Sequence, residues 1–183
     1  MRTVRDKYRE IWQSVSRPGV DELLGWLDET DFYTAPCSTK YHLSREGGLV
    51  EHSINVYEYL CLKVDPDDTA KITALGHDIC KADFYGQEMR NVKENGSWVQ
   101  KPFYTVKDKL PYGHGEKSVL LIQRYVKLTL TEIMAIRWHM AGFTPGMSDY
   151  SMMQAFSEAA KRYPLIIMLH MADMEATYLK EVE

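Results

Sequence analysis

His77 and Asp78 stand side by side at the end of an apolar run, Ile72-Thr73-Ala74-Leu75-Gly76, and Ile79-Cys80-Lys81 follows them. Imidazole and carboxylate are both metal-ligand groups, and burying either without a partner is unfavourable. His52, His114, His139 and Asp173 lie on other apolar stretches and complete a set of candidate ligands. That donor set suits Fe, Mn, Zn, Co or Ni, with Mg also compatible, and not an all-oxygen calcium cage. Taken singly, His52 or His139 is more often a packed core histidine than a ligand. Asp173, within Leu165-Ile166-Ile167-Met168-Leu169-His170-Met171-Ala172, has a salt bridge as its plain alternative. Taken together, so many His and Asp positions on apolar helices point to bound metal and to a metal-dependent enzyme.

The elements that must bring these residues together are mostly helical. Thr3 to Val15 carries Val4, Tyr8, Ile11, Trp12 and Val15 on one face. Pro18-Gly19 opens a second helix with Val20, Leu23, Leu24 and Leu27. A loop from Asp31 to about Gly48 precedes a third helix, about Leu49 to Val64, and a fourth runs from about Asp67 to Ile79. Later helices are expected from Gly115 to Lys127, Thr131 to Met140, Tyr150 to Tyr163 and Pro164 to Glu181, with Thr131 as an N-cap and Pro164 in a first turn. Residues 84–113 break the helical period. Arg90-Asn91-Val92-Lys93 and Trp98-Val99-Gln100 flank Asn95-Gly96, the signature of a β-hairpin, and Pro102 marks its second limb as an edge. The fold expected is all-α, one domain over residues 1–183, with a small β-hairpin insertion at about 84–113. Ligands from several helices can converge in the core of such a bundle.

Composition sets bounds on function. The 183 residues are 45% hydrophobic and 26% charged, ordinary for a globular protein. A net charge of −4 gives no support to binding of duplex nucleic acid, which needs a basic surface. No stretch is apolar for long enough to span a membrane, and the charged N-terminus is not a secretory signal. Three cysteines, Cys37, Cys61 and Cys80, form neither a disulfide framework nor a zinc knuckle, and a reducing cytoplasm is the expected location.

The ordered set His52, His77-Asp78, Asp173 resembles the HD-domain phosphohydrolase superfamily, whose signature is H…HD…D, and His114 and His139 fit its binuclear H…HD…H…H…D branch. Gly47-Gly48-Leu49-Val50-Glu51-His52-Ser53 resembles the segment before the first ligand in the HD part of YhaM-type exoribonucleases. Ala74-Leu75-Gly76-His77-Asp78-Ile79-Cys80-Lys81 is similar to the LHDIGK run of the superfamily, with Cys80 where Gly is usual. The resemblance spans roughly His42 to Thr177. It implies an HD-domain helical bundle with one metal on His52, His77, Asp78 and Asp173. Asp78 would bridge to a second metal on His114 and His139. A carboxylate can bridge because it has two oxygens, whereas a neutral imidazole offers one lone-pair nitrogen. Two metals about 3.5–4 Å apart can clamp the attacking and leaving oxygens of a displacement at phosphorus.

The expected activity is hydrolysis of a phosphomonoester or phosphodiester, a nucleotide or short oligonucleotide, by metal-activated water. Two other readings share the ligands: an HD-type diiron oxygenase and a non-catalytic nucleotide-binding HD module. Asp78 and Lys81 are the candidate catalytic residues. Lys81, one helical turn after Asp78, is also a candidate phosphate contact, as are His42, His170 and Lys117. Some HD nucleotidases carry Glu at the Lys81 position, which counts against a simple nucleoside monophosphatase. The GYP element of cyclic-di-GMP hydrolases is missing after Gly113-His114-Gly115-Glu116. Arg137, beside Trp138, is a further candidate anion contact. Residues 90–127 hold eight Lys or Arg against three Asp or Glu, with Trp98, Phe103, Tyr104 and Tyr112 interleaved. They form either a single-strand stacking surface or a solvated hairpin.

Overall fold

A computed structural model describes residues 2–182. The elements run α1 (Val4–Gln13), α2 (Val20–Asp28), α3 (Gly48–Leu60), α4 (Asp68–Gly76), β1 (Tyr85–Glu94), β2 (Ser97–Val106), α5 (His114–Gln123), α6 (Leu130–Trp138), α7 (Tyr150–Arg162) and α8 (Leu165–Glu175). Short 3-10 turns at Ile79–Lys81 and Ala141–Phe143 and a π turn at Ala176–Lys180 complete the chain. The fold is predominantly helical with one two-stranded antiparallel sheet. No helix among the described residues is long and apolar enough to cross a membrane.

Capping chemistry sets several helix starts. Thr3 and Asp6 form a capping box on α1, and Asp67 accepts from the Ala70 amide at the start of α4. On α6 the box is Thr129 with Glu132, so Thr129 and not Thr131 is the N-cap. The reason is spacing: the box needs Glu three residues after the cap, and only Thr129 satisfies that. Glu132 is fully buried and also receives both Arg17 guanidinium nitrogens, at 2.6 and 2.7 Å, and the Thr69 hydroxyl at 3.0 Å. One carboxylate thus ties α6 to α4 and to the α1–α2 turn.

Two apolar clusters position the site. The larger packs Tyr8 and Trp12 of α1, Leu23, Leu24 and Leu27 of α2, Leu49, Ile72 and Leu75, and Ile122 of α5. The smaller packs Val56 and Leu60 of α3 against Ala70 and Ala74 of α4, Ala135 of α6, and Leu169 and Ala172 of α8. The small residues let α3, α4, α6 and α8 approach closely, and these helices or the residues just after them carry His52, His77, His139 and Asp173.

Several boundaries differ from the periodicity. Val4 is 44% exposed and lies off the buried face of α1. α3 ends at Leu60 and not Val64, and α5 begins at His114 and ends at Gln123. α4 stops at Gly76, so His77 caps it and Asp78 lies outside it. The last helix is not continuous to Glu181: it passes into a π turn in which the Glu181 amide donates to the Ala176 carbonyl. The hairpin pairs from Tyr85↔Val106 to Glu94↔Ser97, longer than Arg90–Val106, around the expected Asn95-Gly96 turn.

Candidate metal centre

Asp78 is the hub. Its φ/ψ of −108°/14° places it in the sparsely populated bridge region between helix and strand, between the last turn of α4 and the 3-10 turn. Its carboxylate is almost fully buried and meets five cationic or imidazole groups. Oδ1 lies 2.7 Å from His114 Nε2 and 3.8 Å from His139 Nε2. Oδ2 lies 3.5 Å from His77 Nε2, 3.9 Å from His52 Nε2 and 2.7 Å from Lys81 Nζ. His52 Nε2 is also 3.2 Å from Asp173 Oδ1. Neighbouring rings of His52, His77, His139 and His114 are 5.0–5.3 Å apart centre to centre and form an arc around this carboxylate. All six candidate ligands are therefore brought together.

The outer nitrogen of each imidazole decides what the inner one can do. His77 Nδ1 donates to the Ala74 carbonyl and His139 Nδ1 to the Ile136 carbonyl, each at 2.7 Å and each three residues back on its own helix. A backbone carbonyl can only accept, so the Nδ1 atoms carry the protons and the Nε2 lone pairs face Asp78. His52 Nδ1 donates to the Glu181 carboxylate at 3.0 and 3.1 Å, and Asn55 donates to the same carboxylate at 2.7 Å. His114 Nδ1 lies 3.2 Å from Cys80 Sγ.

Three of these inner atoms, His77 Nε2, His139 Nε2 and Asp78 Oδ1, are buried with no hydrogen-bond partner. The one close approach to Oδ1 is His114 Nε2 at 2.7 Å. Buried polar atoms are almost always paired. Three such atoms around one carboxylate, all of ligand type, are the donors that a metal ion would satisfy. The donor set fits such an ion: clusters of three ligand atoms within 4.8 Å include His52, His77 and Asp78, and His77, His139 and Asp173.

Electrostatics follow the same geometry. Burial would raise the Asp78 pKa, but Lys81, His77 and His114 outweigh it and hold the carboxyl well below its ordinary value. Asp173 is lowered too, by its bond from His52 against the opposing effect of burial. Burial, with His77 and His114 nearby, pushes His139 down to about 3.

A cavity of about 390 Å³ opens onto the hub. Asp78, Lys81, His42, His52, His114 and Asp173 line its polar side, and Met140, Phe143, Pro145, Met174 and Tyr178 its apolar side. Leu43, just after His42, and Ala141, just after Met140, have φ of 45° and 43°. Left-handed backbone costs such residues roughly 1–2 kcal/mol each, and such strain concentrates at functional sites.

The expected substrate contacts separate. Lys81 borders the cavity, bonded to Asp78 and, at 2.9 Å, to the Cys37 carbonyl. His42 borders it with Nε2 3.2 Å from Cys37 Sγ. Lys117 and His170 do not line it. Lys117 is buried because its ammonium pairs with Asp108 and lies over the Phe84 ring. His170 donates from Nδ1 to the His139 carbonyl at 2.8 Å and so braces a candidate ligand. The hairpin aromatics Trp98, Phe103 and Tyr104 lie outside this cavity.

Glu181 was not foreseen. Read as the polar end of a long helix, it gave no signal, since the π turn that swings it onto His52 has no sequence signature. A carboxylate behind a metal-bound imidazole raises its basicity, and losing one weakens metal affinity about 10–100-fold. Glu181→Ala is expected to weaken metal binding within that range, measured by competition with a chromogenic chelator, and unchanged affinity would refute the role.

Comparison of the chain with protein-family models, curated proteins and solved structures finds no match. What fold and site define is a helical protein with a buried His/Asp cluster that could hold metal.

Proposed function

We propose that this protein is a metal-dependent phosphohydrolase of the HD type, acting on a phosphoester of nucleotide character. The observation that carries the reading is the trio of unpartnered ligand atoms on His77, Asp78 and His139 beside a cavity with one polar and one apolar wall. His52, His77, Asp78 and Asp173 would hold one ion, and Asp78, His114 and His139 a second. Bound there, divalent metal supplies Lewis acidity, which lowers the pKa of water and offsets charge on phosphoryl oxygens.

The chain's own residues do the rest. Asp78 offers one oxygen to each half of the ligand set, which keeps the halves in register. Lys81, held at its edge by Asp78 and the Cys37 carbonyl, presents a point charge to a phosphate oxygen. His42 faces the same cavity and meets the leaving group. The apolar wall of Met140, Phe143 and Met174 receives the body of the substrate and excludes water from it. A cavity of this size lies at the small end of ligand sites, about 300–1,000 Å³, and suits one nucleotide unit at the metals.

The test is a panel of phosphomonoesters, phosphodiesters and nucleotides with Mn, Co, Ni or Mg, alongside elemental analysis of protein never exposed to chelator. Metal-dependent hydrolysis of at least one member is expected. Stoichiometric iron with oxygen consumption and no hydrolysis would replace the reading with an oxygenase. Nucleotide binding with neither activity would replace it with a binding module.

A further inference from the structure

The arc of imidazoles around Asp78 has a fifth member, and a thiol stands beside it. The His42 ring lies 5.1 Å centre to centre from that of His52, the same spacing as within the arc. Cys37 Sγ lies 3.2 Å from His42 Nε2. Loop closure brings these two side chains together. The Cys37 amide donates to the Leu43 carbonyl at 3.1 Å, the Ser38 hydroxyl donates to the His42 carbonyl at 2.9 Å, and Leu43 takes the positive φ that turns the chain. Ligand atoms of Cys37, His42 and His52 all lie within 4.8 Å of one another. His52 Nδ1 is committed to the Glu181 carboxylate, so Nε2 is the nitrogen left for an ion.

Donor chemistry decides which ion suits this trio. One thiolate with two imidazoles favours zinc and other thiophilic ions over Mn or Mg. Tetrahedral zinc sets a sulfur and a nitrogen ligand about 3.6 Å apart, given bonds of about 2.3 and 2.0–2.1 Å. The observed 3.2 Å therefore needs only a small opening of the loop. Cys80, with Asp78 and His114, makes a rival thiol set. Cys80 meets His114 at Nδ1, however, behind the nitrogen that faces Asp78, and so backs the ring. The opposing charge at Cys37 is Lys81, whose ammonium lies 3.8 Å from the sulfur and is offset by Asp78 at 2.7 Å.

We propose that Cys37, His42 and His52 form a further metal position, for a thiophilic divalent ion such as zinc, that competes for His52 with the set on the Asp78 side. A neutral imidazole offers one lone pair, so His52 serves an ion on one side or on the other. An ion on the Cys37 side also takes His42 away from the substrate cavity. That zinc there would silence hydrolysis rests on the phosphohydrolase reading; the binding itself does not.

The test is spectroscopic and uses the full metal-free chain. Cobalt(II) should bind with a near-ultraviolet thiolate-to-cobalt charge-transfer band, and zinc should displace it, being the tighter-binding ion. Cys37→Ser should remove the band, while Cys80→Ser keeps it. His42→Gln should weaken zinc binding by more than the about 10–100-fold that loss of an outer partner costs. X-ray absorption of the wild-type chain loaded with one zinc needs no variant, and should show a sulfur neighbour at about 2.3 Å. A shell of nitrogen and oxygen alone overturns the position, as does a band that survives Cys37→Ser and vanishes in Cys80→Ser. Tight zinc should stop at two per chain, and a third overturns the sharing of His52. A hydrolysis panel without activity, beside an intact sulfur signal, would remove the catalytic reading and leave this metal position standing.

Discussion

Asp78→Ala is expected to eliminate metal-dependent phosphoester turnover. The loss should exceed the about 10²–10³-fold that follows removal of one preorganised charge-stabilising group, because Asp78 touches both halves of the ligand set. Metal content should fall with activity, which elemental analysis of the purified variant reads directly. The change also has a structural cost: Lys81 Nζ loses its carboxylate partner at 2.7 Å and keeps only acceptors from Cys37. Breaking a buried pair by deleting one partner destabilises by roughly 3–5 kcal/mol. Asp78→Asn is therefore the companion variant, since it retains shape and one carbonyl acceptor while losing the bridging charge. Both variants should be inactive, with Asn melting at the higher temperature. Turnover that survives in a folded Asp78→Asn protein with reduced metal would sink the mechanism.

Metal loading near pH 7 should release about two protons per protein, and affinity should climb by about 100-fold per pH unit. The four imidazoles divide into two pairs. Burial, as the largest effect, would lower His114, but its contacts with Cys80 and Asp78 outweigh it and push its pKa up to about 10. Burial opposes protonation of His52 as well, and Cys37, Asp173 and Glu181 together raise it well above the ordinary value. His139 goes down to about 3 and His77 is lowered, both mainly through burial. Without metal at neutral pH, His52 and His114 are thus charged while His77 and His139 are neutral. Ligation requires the neutral form of all four, so two protons must leave and acid must weaken binding. Calorimetric titration in two buffers of different ionisation enthalpy counts those protons. Binding that is indifferent to pH between 6 and 8 would contradict the charge distribution. Linkage gives the metal-free fold the opposite trend. Stabilisation from the raised values is complete below the ordinary histidine pKa near 6.5 and is lost as pH rises through about 10.

The candidate ligands were legible because their types conflict with their surroundings. A carboxylate in Leu165–Glu175 or an imidazole after Ala74-Leu75-Gly76 contradicts the local apolar pattern, and such contradictions gather at functional sites. The helical character and the Asn-Gly hairpin were legible for the opposite reason, since propensity, patterning and turn chemistry agree there. Substrate contacts were less so. Lys117 and Lys81 are both lysines near ligands in sequence, yet one pairs with Asp108 and the other borders the cavity. His170, one turn before Asp173, shares its helix but spends its Nδ1 proton on the His139 carbonyl.

By itself, then, the chain's order of residues determined the helical class, the hairpin and the six ligand-type side chains, because each is a local property of composition and period. Tertiary structure alone decided the rest. It placed Asp78 between two pairs of imidazoles, swung Glu181 through a π turn onto His52, and paired Arg137 with Glu116 at the start of α5. Those are contacts between segments up to 129 residues apart. Their geometry depends on how closely small residues such as Ala74, Ala135 and Ala172 let the helices pack, which no local pattern encodes.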